Sequence, residues 1–195
     1  MGENLKEDSL PKIILIISAQ RHGTTTLCRK FGEIESCVSF YEAFNKEGIF
    51  HPDNFKGKKL DQYMIEVFKE KKLSNKHTVI IKIFYNHKVN IKDILKLKTD
   101  ISFIFLKRKL NKAYKSYKKA MLTGNWGTTP NLQSTWVSSG REGYVGGVLE
   151  FNLYKKQIKN WMKENQKLAS YYKLKTHNIL FRDVISNDFK PSQFL

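Results

Sequence analysis

Arginine is scarce in a chain that is otherwise strongly basic. Of 35 basic residues only Arg21, Arg29, Arg108, Arg141 and Arg182 are arginines. Cysteine is nearly absent: Cys28 and Cys37 form no CxxC pair and stand near no histidine cluster, which excludes a zinc site or a disulfide framework. No apolar run approaches the length that spans a bilayer. The opening "MGENLKEDSLPK" is polar and carries acids, unlike a signal peptide. Lys6 stands where a myristoylation signal has Ser or Thr, and there is no N-x-[ST] sequon. A soluble protein of the cytoplasm is the expectation.

The 195 residues suit one domain, 1–195, with 41% hydrophobic and 13% aromatic content in the range of a folded globular chain. The formal net charge of +17 attracts anions of any kind. Lysine supplies most of that charge, and scattered lysines are usually a solvated surface. The few arginines are more informative, because a rigid guanidinium fork suits bidentate contacts to oxyanions. A non-catalytic basic nucleic-acid-binding protein remains an alternative on charge. Neither an RNP-like motif nor a recognition helix supports it, so no specific nucleic acid is expected.

No repeat or linker divides the chain. Strands are expected at Ile13–Ser18, Val38–Tyr41, Thr78–Phe84, Ile101–Leu106 and Asn178–Phe181. Helical patterns fall near Thr25–Phe31, Leu60–Glu70, Ile91–Leu97, Asn111–Leu122 and Leu149–Ser170. Near-continuous apolar strands alternating with helices predict an α/β fold, with a central parallel sheet between helices on both faces. Ligands of such sheets bind at the carboxyl ends of the strands. Residues 123–147 are rich in Gly, Ser, Thr and Asn and carry two tryptophans, which suits a functional lid.

The stretch "IILIISAQRHGTTTLCRKF" runs from a strand through a one-glycine turn into a helix. Set against the Walker pattern GxxxxGK[ST], Gly23 takes the second glycine, but Ser18 replaces the first and Thr24 replaces the lysine. An anion is still favoured. Gly23 lets the backbone approach, a helix N-terminus offers unpaired N–H groups, Arg21 adds charge, and Thr24, Thr25 and Thr26 add hydroxyls.

"AQRHGTTTL" resembles the 5′-phosphosulfate loop of sulfotransferases that use 3′-phosphoadenosine 5′-phosphosulfate (PAPS), with Arg21 at the family's basic position. "FIFLKRKLNKAYKSYKKA" resembles their 3′-phosphate motif, a strand ending in Arg108 with Ser116 eight residues on. "SFYEAF" resembles the segment that carries the catalytic base in carbohydrate sulfotransferases, here Glu42. "VIIKIFYNH" resembles a strand with an active-site lysine, here Lys82, and His87 is the alternative base. "NILFRDVISNDF" is similar to a late strand and turn. Arg141-Glu142-Gly143 is the nearest match to an R-K-G element.

The resemblance implies a P-loop-NTPase-like sulfotransferase fold and sulfuryl transfer from PAPS to an acceptor hydroxyl or amine, with a carbohydrate the favoured acceptor. Adenosine 3′,5′-bisphosphate would be left. Arg21, His22, Gly23, Thr24, Thr25, Thr26, Arg108, Ser116 and Arg141 would hold the nucleotide without a metal. Trp126, Trp136 and Tyr144 could stack on adenine. A nucleotide kinase with a degenerate P-loop is the alternative enzyme, although no Walker lysine or magnesium-binding acid is evident.

Overall fold

The computed structural model describes residues 10–41, 43–87, 89–123 and 148–195. Its centre is a sheet of β1 (Lys12–Ser18), β2 (Cys37–Phe40), β3 (Thr78–Phe84), β4 (Ile101–Lys107) and β5 (Lys175–Leu180). The order is β2-β3-β1-β4-β5, and every pairing is parallel. The connecting helices are α1 (Thr24–Gly32), α2 (Leu60–Glu70), α3 (Ile91–Ile94), α4 (Leu110–Thr123), α5 (Val148–Tyr171) and α6 (Phe181–Val184).

The strands alternate in facing two apolar layers. Leu15, Ile17, Ile81, Ile83, Phe103 and Phe105 pack with Met64 and Phe68 of α2, Ile91 and Ile94 of α3, and Tyr154, Ile158 and Met162 of α5. Ile14, Ile16, Ile80, Ile104 and Leu106 pack with Leu27, Cys28 and Phe31 of α1 and Val184 of α6. Cover on both faces is why β1, β3 and β4 read as near-continuous apolar runs, interrupted by Lys82 in β3 and Ser102 in β4. The helices show the complementary stripe. In α2, Leu60, Met64, Val67 and Phe68 are buried at the spacing of one helical face. The α/β, three-layer arrangement expected from the sequence is the observed one.

Two elements, the last strand and the third helix, have a boundary more than one residue from expectation. The last strand runs Lys175–Leu180, and Phe181 opens α6 instead of ending the strand. At the sheet edge only Ile179 of β5 is buried, so its apolar signal is short. The third helix ends at Ile94, yet Leu97 beyond it is still buried. The apolar pattern over Ile91–Leu97 predicts a longer helix than the one formed. Among the described residues, no helix is long and apolar enough to cross a membrane.

The sheet order sets where a ligand can sit. From β1 the chain passes to β2 on one side of the sheet, while β4 leads to β5 on the other. β1 and β4 are neighbours, so their following loops diverge and open a crevice at the carboxyl edge. Phe68→Ala should lower stability by about 3–5 kcal/mol, because its fully buried ring joins α2 to the sheet. Urea unfolding checks this; an unchanged midpoint would mean that α2 is not seated as described.

Candidate functional site

The loop after β1 is built around two left-handed residues, Arg21 at φ 65° and Gly23 at φ 92°. At Gly23 a side chain is barred twice over. The φ disfavours one, and a Cβ would lie 2.0 Å from Cδ2 of Phe181. Arg21 has no such licence, and its strained backbone needs support. Arg108, just past β4, donates from Nη1 to the Arg21 carbonyl at 2.8 Å. The Arg21 side chain donates from Nε to Ser116 Oγ of α4 at 3.0 Å. The Phe181 ring lies under the Arg108 guanidinium, 4.7 Å away, and so supports both the glycine and the arginine.

The loop ends at α1, whose N-cap is Gly23 with no side-chain cap and no acid in the first turn. Its first N–H groups therefore have no intrahelical partner, and its dipole puts partial positive charge on the loop. Lys82 increases that charge. It lies in the middle of β3, is 1% exposed, and donates from Nζ to Thr25 Oγ1 at 3.3 Å. An ammonium at a helix N-terminus is unfavourable unless an anion joins it. Burial, and then the charge of Arg108, lowers the pKa of Arg21. A bound oxyanion would relieve both effects.

His22 faces inward. It is 2% exposed, and its Nδ1 lies 3.3 Å from the Leu106 carbonyl. A carbonyl only accepts, so Nδ1 carries the proton, and Nε2 is buried with no partner among the described residues. Burial pushes the imidazole down to about 4 against the raising effect of the Leu106 bond, with Arg108 also lowering it. His22 is thus a neutral strut from the loop to β4. Thr24 is also buried, whereas Thr25 and Thr26 are half-buried.

Arg21, Gly23, Thr25, Lys82, Arg108 and Ser116 thus meet at one rim. His87 is engaged through both nitrogens: Nδ1 accepts from the Phe84 N–H at 3.3 Å, and Nε2 donates to Asn45 Oδ1 at 3.0 Å. It pins the end of β3 to the segment after β2. Glu42, Arg141, Trp126, Trp136, Tyr144 and the expected lid lie outside the described residues. Phe181 went unnoticed in the sequence, where an aromatic after "NIL" reads as one more strand residue. Among the described residues, no group of three His, Cys, Asp or Glu side chains could hold a metal ion.

No family model and no curated protein matches the sequence. Solved structures similar to it include a sugar kinase from Janibacter sp. HTCC2649 at 10% identity, covering 94% of this chain and 89% of that one, TM-score 0.43. A deoxyadenosine kinase from M. mycoides with bound dCTP is 15% identical over 87% of this chain and 90% of that one, TM-score 0.43. A gluconokinase from Sinorhizobium meliloti 1021 is 12% identical over 84% and 98%, TM-score 0.34.

The resemblance to PAPS-dependent sulfotransferases does not hold. These neighbours are kinases, no sulfotransferase stands among them, and no sequence comparison supports the family. The sulfuryl-transfer activity inferred from it is withdrawn with it. The physical reason lies in the motifs. An arginine before a glycine, hydroxyls on a helix N-terminus and an arginine at a strand end suit any tetrahedral oxyanion, phosphate ester or sulfate ester alike.

The depressed pKa of His22 makes stability depend on pH. The unfolded histidine binds a proton that the folded one refuses, so this contribution is full above about pH 6.5 and is lost as pH falls towards 4. His22→Gln should remove a slope of up to about 1.4 kcal/mol per pH unit in that window, measured as the wild-type-minus-variant difference in urea stability. Gly23→Ala should destabilise by at least about 1–2 kcal/mol from backbone strain, with the Phe181 clash in addition. A thermal melt matching wild type would refute the tight packing against Phe181.

Proposed function

We propose that the protein binds the phosphate groups of a nucleotide in the β1–α1 loop and transfers a phosphoryl group from it, as a kinase with a degenerate P-loop. The observation that carries this reading is the lock of Arg108 and Ser116 on Arg21 beside the uncapped start of α1. It aims fixed N–H groups and guanidinium charge at one point on the carboxyl edge, where β1 and β4 diverge. Lys82 delivers from β3 the ammonium that the loop lacks at Thr24. Phosphoryl transfer passes through a loose, in-line transition state, so catalysis is mostly positioning and charge stabilisation. The N–H groups of α1 would cradle the bridging phosphates. Arg21, Arg108 and Lys82 would stabilise charge that builds up on the leaving oxygen.

Among the described residues of the loop and the strands beside it, the donor set does not fit a magnesium ion held by the protein. Residues 10–32, 74–92 and 101–123, which include β1, β3 and β4 with the turns that follow them, contain no Asp or Glu. Thr25 Oγ1 is already engaged by Lys82. No step is therefore assigned to a metal here.

Calorimetric titration with ATP, with and without Mg²⁺, tests the reading beside adenosine 3′,5′-bisphosphate at moderate salt. One-to-one ATP binding that persists as salt rises, and weakens at least about tenfold in Arg108→Ala, is expected. Equal, salt-sensitive binding of both nucleotides would reduce the site to general lysine electrostatics. Preference for the bisphosphate would overturn the phosphoryl reading.

A further inference from the structure

Four phenols gather at the same carboxyl edge, on the face of the sheet opposite α1. Tyr85 follows β3, Tyr114 and Tyr117 stand one turn apart on α4, and Tyr154 lies in the first turns of α5. The Tyr154 ring sits 5.1 Å from that of Tyr114 and 5.8 Å from that of Tyr117, and Tyr114 also meets Phe151 at 5.1 Å. The Tyr114 hydroxyl donates to Glu150 Oε2 at 2.9 Å. Tyr85, Tyr114 and Tyr117 are half-buried, so part of the cluster meets solvent.

Packing alone does not account for tyrosine here. Tyr154 is 5% exposed, and its hydroxyl has no partner among the described residues. A buried phenol without a hydrogen bond is costly, and phenylalanine would avoid the cost. Phenylalanine is what the chain uses elsewhere in the same apolar layer, at Phe50, Phe68, Phe103 and Phe105. The cluster also borders the phosphate loop. Burial and the neighbouring phenols push the Tyr154 hydroxyl up, while the charge of Arg108 pulls it down. Arg108 is the residue that holds Arg21. Residue 116 of α4 serves the loop while residues 114 and 117 serve the cluster, so one helix joins the two.

We infer that Tyr85, Tyr114, Tyr117 and Tyr154 form the acceptor subsite, taking an uncharged, ring-bearing hydroxyl compound of the nucleoside type, with the Tyr154 O–H donating to an acceptor atom on its ring. The inference rests on the phosphate reading of the loop for the word acceptor. The subsite itself does not depend on it. Aromatic faces suit a planar heterocycle by stacking. A buried donor left unpaired selects ligands that carry an acceptor atom there. Phosphate donor and ring-bearing acceptor would then approach from opposite faces of the sheet and meet above the carboxyl ends of β1 and β4.

The test is calorimetric titration of adenosine and cytidine, which probe the subsite, and of tripolyphosphate, which probes the loop alone. Tyr154→Phe should weaken binding of at least one nucleoside about tenfold and leave tripolyphosphate unchanged. Tyr117→Leu, with folding checked by circular dichroism, should weaken the same nucleoside and serves if Tyr154→Phe does not fold. Nucleoside binding that is absent in wild type, or unchanged in a folded variant, overturns the subsite. Nucleoside binding lost in Tyr154→Phe while tripolyphosphate never binds would support the subsite and sink the phosphate reading instead.

Discussion

The candidate site depends on one hydrogen bond between two residues of like charge. Arg108 reaches back from the end of β4 to the carbonyl of Arg21 and holds a left-handed turn that a non-glycine residue would otherwise leave. The carbonyl neutralises nothing. The two guanidinium charges stay close, and the burial that stiffens the turn also weakens the hydration of Arg21. Such an arrangement carries an electrostatic cost. An oxyanion bound there would meet donors already oriented and cations already partly desolvated, so little reorganisation would oppose binding.

Lysine and arginine divide the work by their chemistry. Arg21 makes a directional contact to a hydroxyl and Arg108 to a carbonyl, which their planar forks allow. Lys82 is a point charge at the end of a flexible stem, threaded through an apolar strand and bordered by the Phe84 ring at 5.5 Å and the Tyr41 ring at 6.0 Å. These rings face its ammonium while it reaches Thr25. A lysine in the middle of a buried strand would be hard to explain by packing, since nearly every neighbour in β3 is aliphatic or aromatic.

The sheet was legible because β1, β3 and β4 are covered on both faces and write that into near-continuous apolar runs. The edge strand was less so, since a strand with one neighbour and one buried residue leaves little hydrophobic signal. Arg21 and Arg108 could be picked out as oxyanion-binding types after strands, whereas Ser116, on α4, entered only through the resemblance to sulfotransferases. That Ser116 would hold the Arg21 side chain, 95 residues away, could not be read from the sequence. The burial of His22 and the place of Phe181 arise only from tertiary packing. Family assignment from short motifs failed for a different reason. Short motifs of this kind suit any tetrahedral anion, and phosphate and sulfate esters share that shape and charge.

Phe181 ties two distant parts of the chain into one cooperative unit. Its ring occupies the space that a side chain at Gly23 would need, and it belongs to the first residue after the exposed edge strand. When β5 frays from β4, the ring leaves with it, and the loop loses its floor while the Arg108 guanidinium loses its aromatic support. On this geometry, local opening at the sheet edge would relax the loop as well. A ligand held in the loop would protect the amides of β5, which it never touches.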